Sequence, residues 1–169
     1  MAGFSVSGKR VTVAGAARSG IAAAELLAAR GARVTLSDAA SSLAEDQAAE
    51  LAALGVALEL GGHVESTFTA ADLVVISPGV PGDQSAVAAA RRSGVPVIGE
   101  VELASRWLQG RVIAVSGTKG KSTTAVLTGR ILESAGFAVT VGGNVGAPLS
   151  GRPRLRRRLM SRPTRFSTS

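Results

Sequence analysis

Arg10-Val11-Thr12-Val13-Ala14-Gly15-Ala16-Ala17-Arg18-Ser19-Gly20 leads into Ile21 to Ala29 and then into Val34 to Asp38. Arg10 to Ala14 has the apolar, β-branched composition of a buried strand. Gly15 to Gly20 is a turn of small residues. Ile21 to Ala29 is made mostly of alanine and leucine, strong helix formers. Val34 to Ser37 is a second strand, and it ends on the acid Asp38. Strand, glycine turn, helix, then a strand with an acid at its tip is a βαβ unit of the nucleotide-binding type. A dinucleotide fingerprint would be G-x-G-x-x-G. Here the first and last glycines are present, but Ala17 holds the middle place, where a Cβ hinders a pyrophosphate. Two readings follow. One is a weakened dinucleotide site. The other is a tight turn capped by Asp38, compatible with a different nucleotide in the same crevice.

The pattern continues outward. Leu43 to Leu54 reads as a helix and Val56 to Leu60 as a strand. Gly61-Gly62-His63 reads as a loop, with the chain's single histidine as an ordinary loop residue. Leu73 to Ile76 is a buried strand that stops at the stiff turn Ser77-Pro78-Gly79-Val80-Pro81. Gln84 to Arg92 is a helix and Val95 to Ile98 a strand. Five strands alternating with helices predict an α/β fold with a Rossmann-like doubly wound parallel sheet. Gly99 to Leu108 reads as a connecting helix, whose Glu100 and Glu102 form a solvated acidic face at its start.

Arg111 to Thr124 starts a second unit. Val112 to Val115 reads as a buried strand, Gly117 to Ser122 as a loop, and the residues from Ala125 to about Ala135 as a helix. That order is the layout of a phosphate-binding loop. Its glycines turn backbone N–H groups toward an anion, Lys121 reaches phosphate, and the Ser122 hydroxyl can ligate Mg²⁺. The loop is shorter than the usual G-x-x-x-x-G-K-[ST], with Val115 where that pattern needs glycine. The bland alternative is a glycine-rich turn with two solvated lysines. Ala138 to Val141 reads as a further strand, closing in Gly142-Gly143-Asn144-Val145-Gly146. The fold expected here is the start of a P-loop α/β ATPase domain.

Composition narrows the function classes. Of the 169 residues 46% are hydrophobic, so a core can be buried, and there is no cysteine for a disulfide or thiolate metal site. No apolar run is long enough for a membrane span, and no leader pattern opens the chain, so cytoplasm is the expectation. The net charge of +7 is concentrated: seven arginines lie between residues 152 and 165, leaving twelve basic and twelve acidic residues elsewhere. A neutral body gives no reason to expect nucleic acid as its partner.

Gly15 to Gly20, Asp38, Ser77-Pro78-Gly79, Gly99-Glu100-Val101-Glu102-Leu103, Gly117 to Thr123 and Gly142 to Gly146 occur in one order. Together they resemble the Mur ligase family, and within it the branch acting on UDP-N-acetylmuramoyl-L-alanine and D-glutamate. The resemblance covers residues 5 to about 150. It implies an ATP-dependent, amide-forming ligase of peptidoglycan synthesis that works through an acyl phosphate, with ATP and Mg²⁺ as cofactors. It places Arg18, Ser19 and Asp38 at the uridine end of the substrate, Gly79 on a second turn lining that site, and Asn144 beside the muramoyl end. The ATP loop is Gly117, Thr118, Lys119, Gly120, Lys121, Ser122 and Thr123, with Lys121 on phosphate as the catalytic residue and Ser122 on the metal. Lys119 stands where asparagine is commoner, which leaves the phosphate chemistry intact. A monomer is expected. The alternative is a non-catalytic Rossmann-like module that binds a UDP-sugar or a dinucleotide.

Three regions follow: a UDP-binding domain over 1–98, the start of the central ATP-binding domain over 99–150, and an arginine-rich tail over 151–169. The family's remaining metal ligands and its D-glutamate domain have no counterpart in this sequence, so the chain alone is expected to be inactive. The pattern stops abruptly after Leu149. The tail is rich in Arg, Pro and Ser without helix or strand period, and is expected to be disordered, as an out-of-frame reading of a GC-rich gene would be. A basic nucleic-acid arm is the other reading of the tail.

Overall fold

A computed structural model describes residues 4–108, 111–142 and 148–151. Five parallel strands form one sheet: β1 (Arg10–Ala14), β2 (Arg33–Asp38), β3 (Ala57–Leu60), β4 (Leu73–Ile76) and β5 (Val97–Gly99), in the order β3-β2-β1-β4-β5. The helices between them are α1 (Arg18–Ala29), α2 (Glu45–Ala53), α3 (Glu65–Thr69) and α4 (Ser85–Arg92), and α5 (Glu100–Ser105) follows β5 directly. The doubly wound α/β class is the one the sequence predicts. The short helix α3 is an addition.

Alternation along the strands sorts the core into two layers. Val11, Val13, Val34, Leu36, Leu73, Val75 and Ile98 face α1, α2 and α5, where Leu27, Leu51 and Leu103 complete the layer. Ala14 and Val74 face the other way, onto Phe68 of α3 and Ala86, Val87 and Ala90 of α4. Each fully buried aliphatic side chain contributes ~1.5–3 kcal/mol. β1 and β4 are buried on both faces, so they read as near-continuous apolar runs. At the amino end of the sheet, Trp107 stacks with Phe4 at 5.1 Å and under the Arg30 guanidinium at 4.2 Å. This cluster fixes the end of α5 against the end of α1.

The second unit departs from expectation. Helix α6 (Lys121–Ser134) follows the glycine loop as predicted. Val112 to Val115 forms no strand, and Val112 and Ile113 are 64% and 62% exposed. Ala138 to Val141 is likewise not a strand. A strand needs a neighbour for its backbone groups, and none of the described residues pairs with either segment. The second segment does pack on α6: a Cβ on Gly129 would lie 2.5 Å from Val141 Cγ2. Residues 143–147, with Asn144, and the tail from 152 onward lie outside the described residues.

Candidate functional site

The chain runs from β1 to β2 and β3 on one side, then crosses to β4 and β5 on the other, so the winding reverses between β1 and β4. At such a point the loops leaving adjacent strands diverge and open a crevice at the carboxyl ends. The loop after β1 is Gly15 to Ala17. Gly15 has φ +94°, and a Cβ there would meet Val80 Cγ2 at 2.7 Å and Ser77 Cβ at 3.1 Å. Gly20 sits inside the first turn of α1, where a Cβ would fall 1.7 Å from the Gly15 carbonyl oxygen. These contacts account for the first and last glycines of the turn. Ala17, at the start of α1, is exposed and extended, and its side chain caps nothing.

Asp38 closes the crevice from β2. One of its carboxylate oxygens, Oδ2, accepts a short hydrogen bond from the Ala16 N–H; the other, Oδ1, accepts from the Ala40 N–H at 2.7 Å. From β4, Ser77 Oγ donates to the Gly15 carbonyl at 3.1 Å, and the Ser77 N–H donates to the Ala14 carbonyl at 3.0 Å. The β1 turn is therefore pinned on both sides. A carboxylate offers about four lone-pair positions, so Asp38 retains capacity for a ligand donor. Arg18 is exposed and Ser19 half-buried at the start of α1, whose first N–H groups face the crevice. Gly79 is exposed, and nothing lies within 4 Å of a Cβ built on it. The structure thus brings Arg18, Ser19, Asp38 and the turn bearing Gly79 to one end of the sheet.

Beside Asp38 lies a polar cluster that the sequence does not announce. Glu59 Oε1 accepts from Ser37 Oγ at 2.8 Å and from the Val64 N–H at 3.0 Å, and Oε2 accepts from Thr67 Oγ1 at 2.6 Å. Burial pushes the Glu59 carboxyl up, but the bonds from Thr67, Val64 and Ser37 outweigh it and hold the group below its ordinary 4.5. His63 Nδ1 lies 2.8 Å from Ser37 Oγ, and the ring packs edge-on against Phe68 at 5.5 Å. The hydroxyl's single proton goes to Glu59, so Nδ1–H of His63 donates to Ser37. His63 is therefore a structural member of this cluster rather than a plain loop residue. Serine, histidine and carboxylate meet here, but the acid holds the serine instead of orienting the histidine, and Ser37 is fully buried. A nucleophilic triad is excluded at this point.

The glycine loop of the second unit is exposed. Gly120 adopts φ +75° just before α6, and no side chain caps the helix. Lys121 Nζ donates to the carbonyls of Gly117 at 2.6 Å and Thr118 at 3.4 Å, so the ammonium lies within its own loop. A loop of this form offers free N–H groups and a cation to an anion. Thr118, Lys119, Ser122 and Thr123 are exposed around it. No group of three or more His, Cys, Asp or Glu able to hold a metal occurs among the described residues. A Mg²⁺ at Ser122 would draw its other ligands from phosphate and water.

Glu100 departs from expectation in another way. It is 2% exposed instead of solvated, whereas Glu102 is exposed and pairs with Arg106 at 2.7 Å. The sequence places Glu100 in a shared motif but gives no sign of its burial.

The comparisons with known proteins bear directly on this geometry. Residues 9–99 match the Mur ligase MurD-like N-terminal domain. The chain belongs to the MurD-like Mur ligase family. It is 51% identical over 144 residues to the UDP-N-acetylmuramoylalanine--D-glutamate ligase of Koribacter versatilis, an alignment covering 85% of this chain and 32% of that relative. The ligase of the same name from Anaeromyxobacter dehalogenans is 51% identical over 151 residues, covering 89% and 32%. The chain therefore spans about a third of the length of these curated relatives. Among solved structures, the murein peptide ligase mpl of Psychrobacter arcticus aligns with TM-score 0.54 and 28% identity, over 76% of this chain and 27% of that one. The UDP-N-acetylmuramate:L-alanyl-gamma-D-glutamyl-meso-diaminopimelate ligase of Neisseria meningitides aligns with TM-score 0.53 and 26% identity, over 84% and 46%.

Proposed function

We propose that this chain is the UDP-sugar-holding domain and the ATP loop of a ligase that adds D-glutamate to UDP-N-acetylmuramoyl-L-alanine in peptidoglycan synthesis. The observation that carries this reading is Asp38, whose carboxylate reaches from the tip of β2 to the β1 turn at the point where the sheet reverses. That arrangement presents an acceptor, the N-terminus of α1 and the Arg18 side chain to a single nucleotide. The relatives' shared name supports the choice of UDP-sugar over dinucleotide. So does Gly79: the fold packs nothing against it, so its lack of a side chain leaves room for a ligand.

In this reading Asp38 accepts from the uracil or ribose, with Arg18 and Ser19 beside it at the uridine end. Gly79 lines the second wall, and Asn144 attends the muramoyl end. Residues 1–98 form the UDP-binding domain, and residues 99–150 begin the ATP-binding domain. Gly117 to Thr123 cradle ATP, Lys121 neutralises the transferred phosphoryl group, and the Ser122 hydroxyl holds Mg²⁺. Bound ATP and Mg²⁺ supply the activation of the substrate carboxyl as an acyl phosphate, which the amine of D-glutamate attacks. The protein acts in the cytoplasm as a monomer.

Binding and turnover separate in this proposal. Calorimetry on the 169-residue chain is expected to show binding of UDP-N-acetylmuramoyl-L-alanine and none of NADH or duplex DNA. A coupled ADP-release assay with both substrates is expected to show no turnover above a Lys121→Ala control, because turnover also needs D-glutamate held in place and none of the residues assigned above does so. Binding of NADH in preference to the UDP-sugar would move the assignment to a dinucleotide module. Substrate-dependent ADP release by the chain would show it to be a complete catalyst.

A further inference from the structure

Gly61 and Gly62 follow β3 with φ +85° and +151°, backbone that L side chains rarely adopt. Glycine loses more conformational freedom than any other residue on being fixed, so a turn built on two of them needs anchors outside itself. This turn is bonded to the segment that carries Asp38. The Gly62 N–H donates to the Asp38 carbonyl at 3.1 Å, and the Gly61 N–H donates to the Ala40 carbonyl at 2.8 Å. Ala40 in turn donates its own N–H to Asp38 Oδ1 at 2.7 Å. The turn therefore sets both the backbone of Asp38 and the donor to one of its carboxylate oxygens.

The anchors come from the next two residues. His63 Nδ1–H donates to Ser37 Oγ at 2.8 Å, and its ring packs edge-on against Phe68. The Val64 N–H donates to Glu59 Oε1 at 3.0 Å. Ser37 and Phe68 are both fully buried, so the points on which His63 rests cannot shift without opening the core. Successive residues of a strand point to opposite faces, so Ser37 and Asp38 do too. His63 therefore acts on Asp38 through the turn and not on the carboxylate itself.

We propose that His63 is a positioning residue: it fixes the Gly61-Gly62 turn against β2 and so sets the direction in which Asp38 meets the nucleotide. The proposal rests on the UDP-sugar reading above. Asp38 already accepts from Ala16 and Ala40, and only its remaining lone pairs can serve a ligand. Their direction follows from where the Ala40 N–H lies. A turn released from Ser37 lets Ala40 move, and the carboxylate turns with it. Nucleotide affinity then falls although no residue that touches the nucleotide has changed, because the acceptor is no longer preorganised.

Amide hydrogen exchange on the 169-residue chain, followed by NMR, tests the anchoring without any ligand. The Gly62 N–H is expected to be protected and to exchange about tenfold faster or more in His63→Ala, while the N–H groups of β1 keep their protection. His63→Asn carries a side-chain N–H donor and is expected to keep Gly62 protected. Calorimetry with UDP tests the consequence. His63→Ala is expected to lower UDP affinity roughly fivefold, the scale of one lost hydrogen bond, and His63→Asn to restore it. In an Asp38→Ala background, His63→Ala is expected to cause no further loss, as two residues acting through one contact do. A Gly62 amide that is unprotected in the parent, or equally protected in His63→Ala, overturns the anchoring. Faster exchange with unchanged UDP affinity overturns the positioning role, and so does an undiminished loss in the Asp38→Ala background. A parent chain that does not bind UDP overturns the function proposed above, while the exchange data still decide the anchoring. If His63→Ala fails to fold, His63→Leu, which keeps an apolar contact with Phe68 but has no donor, replaces it with the same expected outcomes.

Discussion

Asp38 holds the β1 turn and, in the proposed function, also accepts from the nucleotide. Replacing it removes both contacts, and the two can be told apart. Asp38→Ala is expected to weaken UDP-sugar binding by ~1–3 kcal/mol, the cost of losing a hydrogen-bond acceptor from a partly buried site. Asp38→Asn keeps one acceptor oxygen. It is expected to melt within a few degrees of the parent while still binding less tightly. Calorimetry and thermal melting of both variants check this, and undiminished binding in Asp38→Ala would remove the residue from the site. The sequence marks Asp38 by its place at the tip of a strand. It does not show that Ala16 supplies the partner, because a backbone N–H carries no signature in the residue type. Glu100 was hidden for a similar reason: its partner, Ser150, lies fifty positions away.

Among the elements, Glu59 ties β2, β3 and α3 together through Ser37, Val64 and Thr67. Its folded pKa lies below the ordinary 4.5, so its ionised form favours the folded state. That stability is fully present above the unfolded value and is lost as the pH falls from there through the folded value. Glu59→Gln is expected to flatten the dependence of melting temperature on pH in that acid window and to leave its shape near neutrality unchanged. Melting curves at closely spaced pH values decide it. The strands β1 and β4 were legible to the residue because both of their faces are buried, which demands continuous β-branched runs. Helix α3 was not legible: five residues with a single buried side chain, Phe68, are too few to show a helical period. Val112 to Val115 was misread from the same composition that identified β1. An apolar run reports a preference for burial, but the neighbours that satisfy it are not written in the run.

For the whole molecule, a five-stranded sheet with α5 packed into its core gives way after residue 108 to a unit with little burial of its own. Val112, Ile113, Leu127, Ile131 and Phe137 are all more than half exposed. Limited trypsin digestion is expected to strip the arginine-rich tail first and then to cut around Arg111 and Lys119, in exposed unpaired backbone. It should spare Arg10 and Arg33, which lie in strands. Mass spectrometry should then find a stable piece that retains all five strands. Early cuts inside the sheet would show that the first unit does not stand by itself.

The strand order also has a consequence in time. Every pairing in the sheet is parallel, so each needs a crossover to close before its ladder forms. Val11 meets Val34 across a short crossover but meets Leu73 only after the chain has passed through β2, α2, β3 and α3. Closing the longer loop costs more entropy before any contact repays it. Residues of the β1–β2 pair are therefore expected to be structured in the folding transition state, and those of β4 to join later. Fractional kinetic effects of Val34→Ala and Val74→Ala would measure the difference. An equal or larger value at Val74 would reverse the order. If the order holds, the crevice between β1 and β4 is among the last parts of the domain to be assembled.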